Sequence, residues 1–110
     1  MISCCFYEVD GRLEAFEILG HAGYAEYGND VICAAISTLA QTAIRTCIEE
    51  LKLVVDYELD SESGKIVLKL KDRPKMQRQL EDYHLILANT LIGIKMAQEA
   101  YPDFIKWEVK

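Results

Sequence analysis

Asp10-Gly11 sits between two runs of strand-forming residues, 2–9 and 12–19. Residues of this pair tolerate the positive φ of a tight primed turn, whose twist matches that of two flanking antiparallel strands. The chain is thereby committed to begin as a β-hairpin, and whatever follows must cover one of its faces. A plain two-residue turn pairs Val9 with Arg12, Cys5 with Phe16 and Ser3 with Ile18.

Downstream the apolar period changes. A helix is predicted from about Asp30 to Leu51, with Ile32, Ile36, Leu39, Ala40, Ala43, Ile44, Cys47 and Leu51 on one face. Thr38, Gln41, Thr42, Arg45 and Glu49 line the opposite side. Val55, Tyr57 and Leu59 then alternate with acidic residues, Ser61 to Gly64 turn the chain, and Ile66, Leu68 and Leu70 alternate with Lys65, Lys69 and Lys71. This is a second hairpin with one wet face, and the acidic positions 56, 58 and 60 are the wet side of an edge strand. Pro74 marks the approach to a second helix, Met76 to Tyr101, which Pro102 stops. Ile105, Trp107 and Val109 form a last alternating strand. The expected fold is α+β and two-layered, in the order ββαββαβ, with two helices packed on one largely antiparallel sheet. At 110 residues the chain reads as a single domain, 1–110.

The second helix carries more apolar surface than one sheet can cover. Leu80, Tyr83, Leu87, Leu91 and Ile94 make its main face, while Leu85, Ala88, Ile92 and Met96 form another stripe about 120–140° around the helix. A monomer would leave that stripe in water, so the helix 76–101 is expected to mediate dimerisation.

The formal net charge of −6 argues against direct nucleic-acid binding, because phosphate contacts need clustered Lys and Arg. It suits a basic protein as partner. No run of about 18 consecutive apolar residues is present, so no membrane span is expected. No basic segment followed by an apolar one opens the chain, and the expected location is the cytoplasm.

Cysteines stand at 4, 5, 33 and 47. Cys4 and Cys5 would point to opposite faces of a strand and cannot form a relaxed disulfide. There is no CxxC and only two histidines, so no metal site is expected. Cys47 falls at the centre of the helix-one apolar face and reads as a small core residue, as do the strand cysteines. His84, mid-helix near the main apolar face, reads as a packing or solvent-edge residue.

Cys33 has a different context. It follows Asp30, which reads as a helix N-cap, and a thiol in a first helical turn is favoured as thiolate by the macrodipole. Ala34 and Ala35 leave space for another chain beside it, and Ser37 lies one turn on. Twelve residues before it is His21, flanked by Gly20, Ala22 and Gly23, which allow backbone or ligand to approach closely. An imidazole there could act as base and as leaving-group acid. Asp30 could instead orient His21; Ser37 could hydrogen-bond the thiolate or fold back on the Cys33 carbonyl. Unpaired N–H groups of a first turn are candidate oxyanion donors. Residues 20–29 contain Gly20, Gly23 and Gly28 and read as a loop. Its Tyr24 and Tyr27 either staple it to the body or line a pocket for an apolar substrate side chain; Glu26 and Asn29 read as solvated.

Gly20-His21-Ala22-Gly23, then Gly28, then Asp30-Val31-Ile32-Cys33-Ala34-Ala35-Ile36-Ser37 resembles the signature of the ribosomal-processing cysteine proteases, the Prp family. The resemblance implies a homodimeric cysteine endopeptidase without cofactor or metal, which removes the N-terminal extension of a large-subunit ribosomal protein precursor within an apolar, phenylalanine-containing stretch. It implies that Cys33 is the nucleophile, that His21 is the base, and that the loop between them is mobile.

Two other classes of function compete. A non-catalytic, ribosome-associated module could hold a basic ribosomal protein on the acidic surface, and would tolerate loss of the Cys33 thiol. A redox sensor would need a resolving cysteine near Cys33. The best placed, Cys47, is about 21 Å along the same helix, beyond disulfide reach.

Overall fold

The computed structural model describes residues 1–20 and 27–110, with backbone alone for 27–30. In chain order the elements are β1 (Ile2–Val9), β2 (Arg12–Leu19), α1 (Tyr27–Glu49), β3 (Val55–Asp60), β4 (Lys65–Leu70), α2 (Gln77–Ala100) and β5 (Ile105–Val109). This is the expected ββαββαβ order. Among the described residues the strands form one sheet, β3-β4-β2-β1-β5. All neighbours are antiparallel except β1 and β5, which run parallel at one edge. α1 and α2 cover one face of the sheet.

The first hairpin turns as its sequence demands. Asp10 and Gly11 both have positive φ, 53° and 79°, as a type I′ turn requires. Val9 pairs with Arg12 as expected, but the other two pairs do not form. Beyond a register shift at Tyr7/Glu8, Phe6 faces Phe16, Cys5 faces Glu17 and Ser3 faces Leu19. Glu14 is the extra residue, a β-bulge in β2.

The reason lies in the period-2 geometry of strands. Ile2, Cys4 and Phe6 are even-numbered, and so are Phe16 and Ile18. In an unbulged hairpin closed by Val9 and Arg12, even positions oppose odd ones, so these two apolar sets would face opposite sides of the sheet. One inserted residue brings both sets to the helix side, where all five are buried. The Phe6 and Phe16 rings then meet with centroids 5.4 Å apart.

α2 receives the bulge. The Tyr83 hydroxyl donates to the Glu14 carbonyl at 2.6 Å. The His84 Nδ1–H donates to the Leu13 carbonyl at 2.8 Å, which gives this half-buried histidine a specific partner in the packing role expected for it. Buried carbonyls that leave a regular ladder need such donors.

α1 packs with the face its periodicity indicated: Ile32, Ile36, Ala40, Ala43, Ile44 and Cys47 are buried. By length and composition Val31–Glu49 is apolar enough to cross a membrane, with mean hydropathy 1.5. Here those apolar side chains supply the core. Gly93 of α2 admits α1 closely, since a Cβ there would lie 2.9 Å from Leu39 Cδ2. α2 begins at Gln77, after a Met76 N-cap that makes no side-chain cap bond, so Pro74 stands outside the helix.

Candidate functional site

α1 starts at Tyr27, three residues earlier than expected. The N-cap reading of Asp30 is therefore wrong, because Asp30 is already helical. Tyr27, Gly28 and Asn29 belong to the helix and not to a loop. The early start also moves Cys33 into the second turn, about 9 Å along the axis from Tyr27. The macrodipole's influence falls off within the first turn, so the first-turn argument for the Cys33 thiol does not hold. The N–H groups that a helix leaves without intrahelical partners are those of its first turn, which in α1 excludes Cys33 and its successors. His21, Ala22, Gly23, Tyr24 and Glu26 lie outside the described residues, as do the side chains of Tyr27, Gly28, Asn29 and Asp30.

Cys33 is half-buried and packs against the buried core from its rim. It opens on a cleft of about 500 Å³. One wall is α1, through Cys33, Ala34, Ser37 and Gln41. The other is the tip of the β3–β4 hairpin, through Leu59, Asp60, Ser61 and Gly64. Ile2, Ile18, Ile36 and Ile66 contribute its apolar surface. The cleft is thus apolar at depth and polar along two rims, a form suited to an extended peptide.

Gly20, just before His21 in the chain, also lines the cleft. Its φ is +90°, and a Cβ there would stand 2.7 Å from the Met1 carbonyl oxygen. Both facts call for glycine, one through backbone conformation and the other through space.

The other thiols are placed differently. Cys4 and Cys47 are buried, and burial pushes their pKa values up to about 12 and about 11. At neutral pH both stay protonated, and a thiol is a poor nucleophile.

Asp60 shapes the hairpin tip. Its Oδ1 accepts the Glu62 N–H at 3.0 Å, and this bond, with one from Ser63, holds its carboxyl below the usual carboxylate range. Among the described residues no group of three His, Cys, Asp or Glu could hold a metal ion.

The sequence placed Cys33, Ala34, Ser37 and Gly20 around one locus, and the structure brings these four to one cleft. It missed Gln41, assigned to the solvent side of the helix, and the hairpin tip, read only as an exposed edge. Gln41 had a local signal. It follows Cys33 and Ser37 at successive four-residue steps, the spacing that stacks side chains along one side of a helix. The hairpin tip had none, because its approach to α1 is a long-range contact.

The family model for cysteine protease Prp matches residues 1–106. The ribosomal processing cysteine protease Prp of Staphylococcus aureus is 25% identical over 101 residues, covering 92% of this chain and 91% of that protein. Protein SMU.848 of Streptococcus mutans has the same fold, with a TM-score of 0.83 and 29% identity over 99% of this chain and 93% of its own. So does the S. aureus Prp crystallised with a covalently linked product peptide, with a TM-score of 0.82 and 24% identity over all of both chains. With the match running from the first strand into the last, this chain belongs to the cysteine protease Prp family.

Proposed function

We propose that this chain removes the N-terminal extension of a large-subunit ribosomal protein precursor, with Cys33 as nucleophile and His21 as general base and acid. The observation that carries this reading is the opening of the Cys33 thiol, alone among the four cysteines, into an apolar cleft deep enough for a peptide side chain. The relative's name and its linked product peptide point to the same substrate class.

In the reaction, His21 takes the thiol proton and the Cys33 sulfur attacks the scissile carbonyl carbon. A C–S bond forms, backbone N–H groups hold the oxyanion, and the C–N bond then breaks as His21 returns the proton to the amine. Water hydrolyses the thioester and restores the thiol. Asp30 supports His21, and Gly23, Tyr24, Tyr27 and Gly28 contribute the substrate-facing segment.

The enzyme acts as a homodimer in the cytoplasm. In support of the dimer, Leu85, Ile92 and Met96 of α2 are 67%, 57% and 64% exposed. Beside them an apolar groove between the helices is lined by Val31, Ala34, Ala35, Leu39, Gly93 and Ala97, among others. An apolar surface of this extent is characteristic of an association face.

The deciding experiment incubates the protein with the full-length ribosomal protein precursor and identifies both fragments by mass spectrometry. The wild type releases the extension and Cys33→Ala, still folded, does not. Wild-type processing by Cys33→Ala would instead favour the non-catalytic binding module.

A further inference from the structure

The α1 wall of the cleft holds a polar pair that the cleavage chemistry does not use. Gln41 Nε2 donates to Ser37 Oγ at 2.6 Å, and both residues line the cleft with Cys33. That bond orients the exposed Gln41 carboxamide. One of its two N–H groups is spent on Ser37, while Oε1 and the second N–H remain. One acceptor and one donor, held coplanar, are the complement of a peptide group, which offers one of each.

The position defines where along a substrate that pairing falls. Gln41 is eight residues beyond Cys33, about 12 Å along the helix axis. An extended peptide advances about 3.3 Å per residue, so a chain lying along this wall reaches Gln41 three to four residues from the bond at Cys33. The hairpin tip, Leu59 to Ser61 with Gly64, faces the same stretch from across the cleft and keeps the peptide against the helix.

We propose that Gln41 is a specificity-determining residue that hydrogen-bonds the substrate backbone three to four residues from the scissile bond, and so sets how long a peptide must be for efficient cleavage. This rests on the reading of Cys33 as the nucleophile. Ser37 is the positioning residue for Gln41, since its oxygen holds the carboxamide in register.

The test uses synthetic peptides spanning the precursor's cleavage site. One is long on both sides, and two others are trimmed to two residues on one side or the other. For wild type, trimming on one side lowers kcat/KM by about 3–10-fold, the range of one or two neutral hydrogen bonds. Gln41→Ala and Gln41→Leu lower kcat/KM on the long peptide by that factor and abolish the difference between long and trimmed. Melting curves of both variants establish that they are folded. An equal loss on every peptide would overturn the proposal, because Gln41 would then act on the reacting centre or on the fold. Unchanged kinetics on all peptides would also overturn it. In both cases Cys33-dependent cleavage by wild type leaves the proposed activity standing. A wild type that cuts none of the peptides or the precursor overturns both.

Discussion

The Tyr83 hydroxyl reaches from α2 to the carbonyl of Glu14 at 2.6 Å, the residue at which β2 slips one position against β1. A side chain wholly buried in the helix layer thus satisfies the backbone of the bulge that turns Phe16 and Ile18 inward. Desolvation by burial raises the Tyr83 pKa, so the phenol remains a donor at all physiological pH. Tyr83→Phe keeps the ring and removes the donor. It should cost about 1–3 kcal/mol, the scale for leaving a buried acceptor unsatisfied. Urea denaturation followed by circular dichroism measures this, and an unchanged midpoint would show that packing alone holds the bulge.

Alkaline pH should destabilise the protein through Cys4 and Cys47. Burial raises both thiols above the ordinary cysteine value, to about 12 and about 11. Between the unfolded and folded pKa values the unfolded chain has lost protons that the folded one retains, so stability falls as pH rises. The contribution is fully present below about pH 9 and is lost between about 9 and 11–12. The urea midpoint of wild type should decline over that window. Cys47→Ala, whatever its cost at neutral pH, should decline less steeply, and a parallel decline would exclude Cys47 from the linkage.

Gly20→Ala should impair both folding and cleavage. Its Cβ meets the Met1 carbonyl oxygen at 2.7 Å, and the φ of +90° is strained for any L-residue. Strain of this kind costs of order 1–3 kcal/mol. Relief requires the end of β2 to move away from β1, which displaces the chain leading into His21. A thermal shift together with kcat/KM on the precursor tests this, the expected result being a loss in both.

Ile92→Glu should yield a monomer. Ile92 is exposed on α2, so a carboxylate there costs the isolated chain little, whereas at an apolar dimer contact it would be buried unpaired. Sedimentation velocity at micromolar concentration distinguishes the outcomes. A wild type that is already monomeric removes the dimer from the proposed function.

Iodoacetamide should leave Cys4 and Cys47 untouched in the native protein and modify Cys33, which opens on the cleft. Thiolate character and access govern the rate. Peptide mapping after brief exposure, with and without denaturant, provides the comparison.

Whatever depends on neighbours within a few residues was legible in the amino-acid order. The Asp10-Gly11 turn, the apolar face of α1 from Ile32 to Cys47, the alternation in β4 and the Pro102 stop are all local preferences, and each stands in the fold, whereas in β3 the apolar positions Tyr57 and Leu59 remain 53% and 48% exposed. The clustering of Gly20, Cys33, Ala34 and Ser37 was equally legible, since one strand end and one helix join them. The tertiary structure alone decided the rest. The Glu14 bulge exists because two even-numbered apolar sets must face the same helices, a demand that arises only once α2 packs on the sheet and Tyr83 meets the freed carbonyl. α1 starts at Tyr27 although Asp30 offered a cap, since a capping preference of about 1 kcal/mol is a weak local signal. Gln41 became part of the cleft because the β3–β4 tip, nearly twenty residues away in sequence, folds across from it. Periodicity records which way a side chain points from its own element, and only the packed sheet determines what stands opposite.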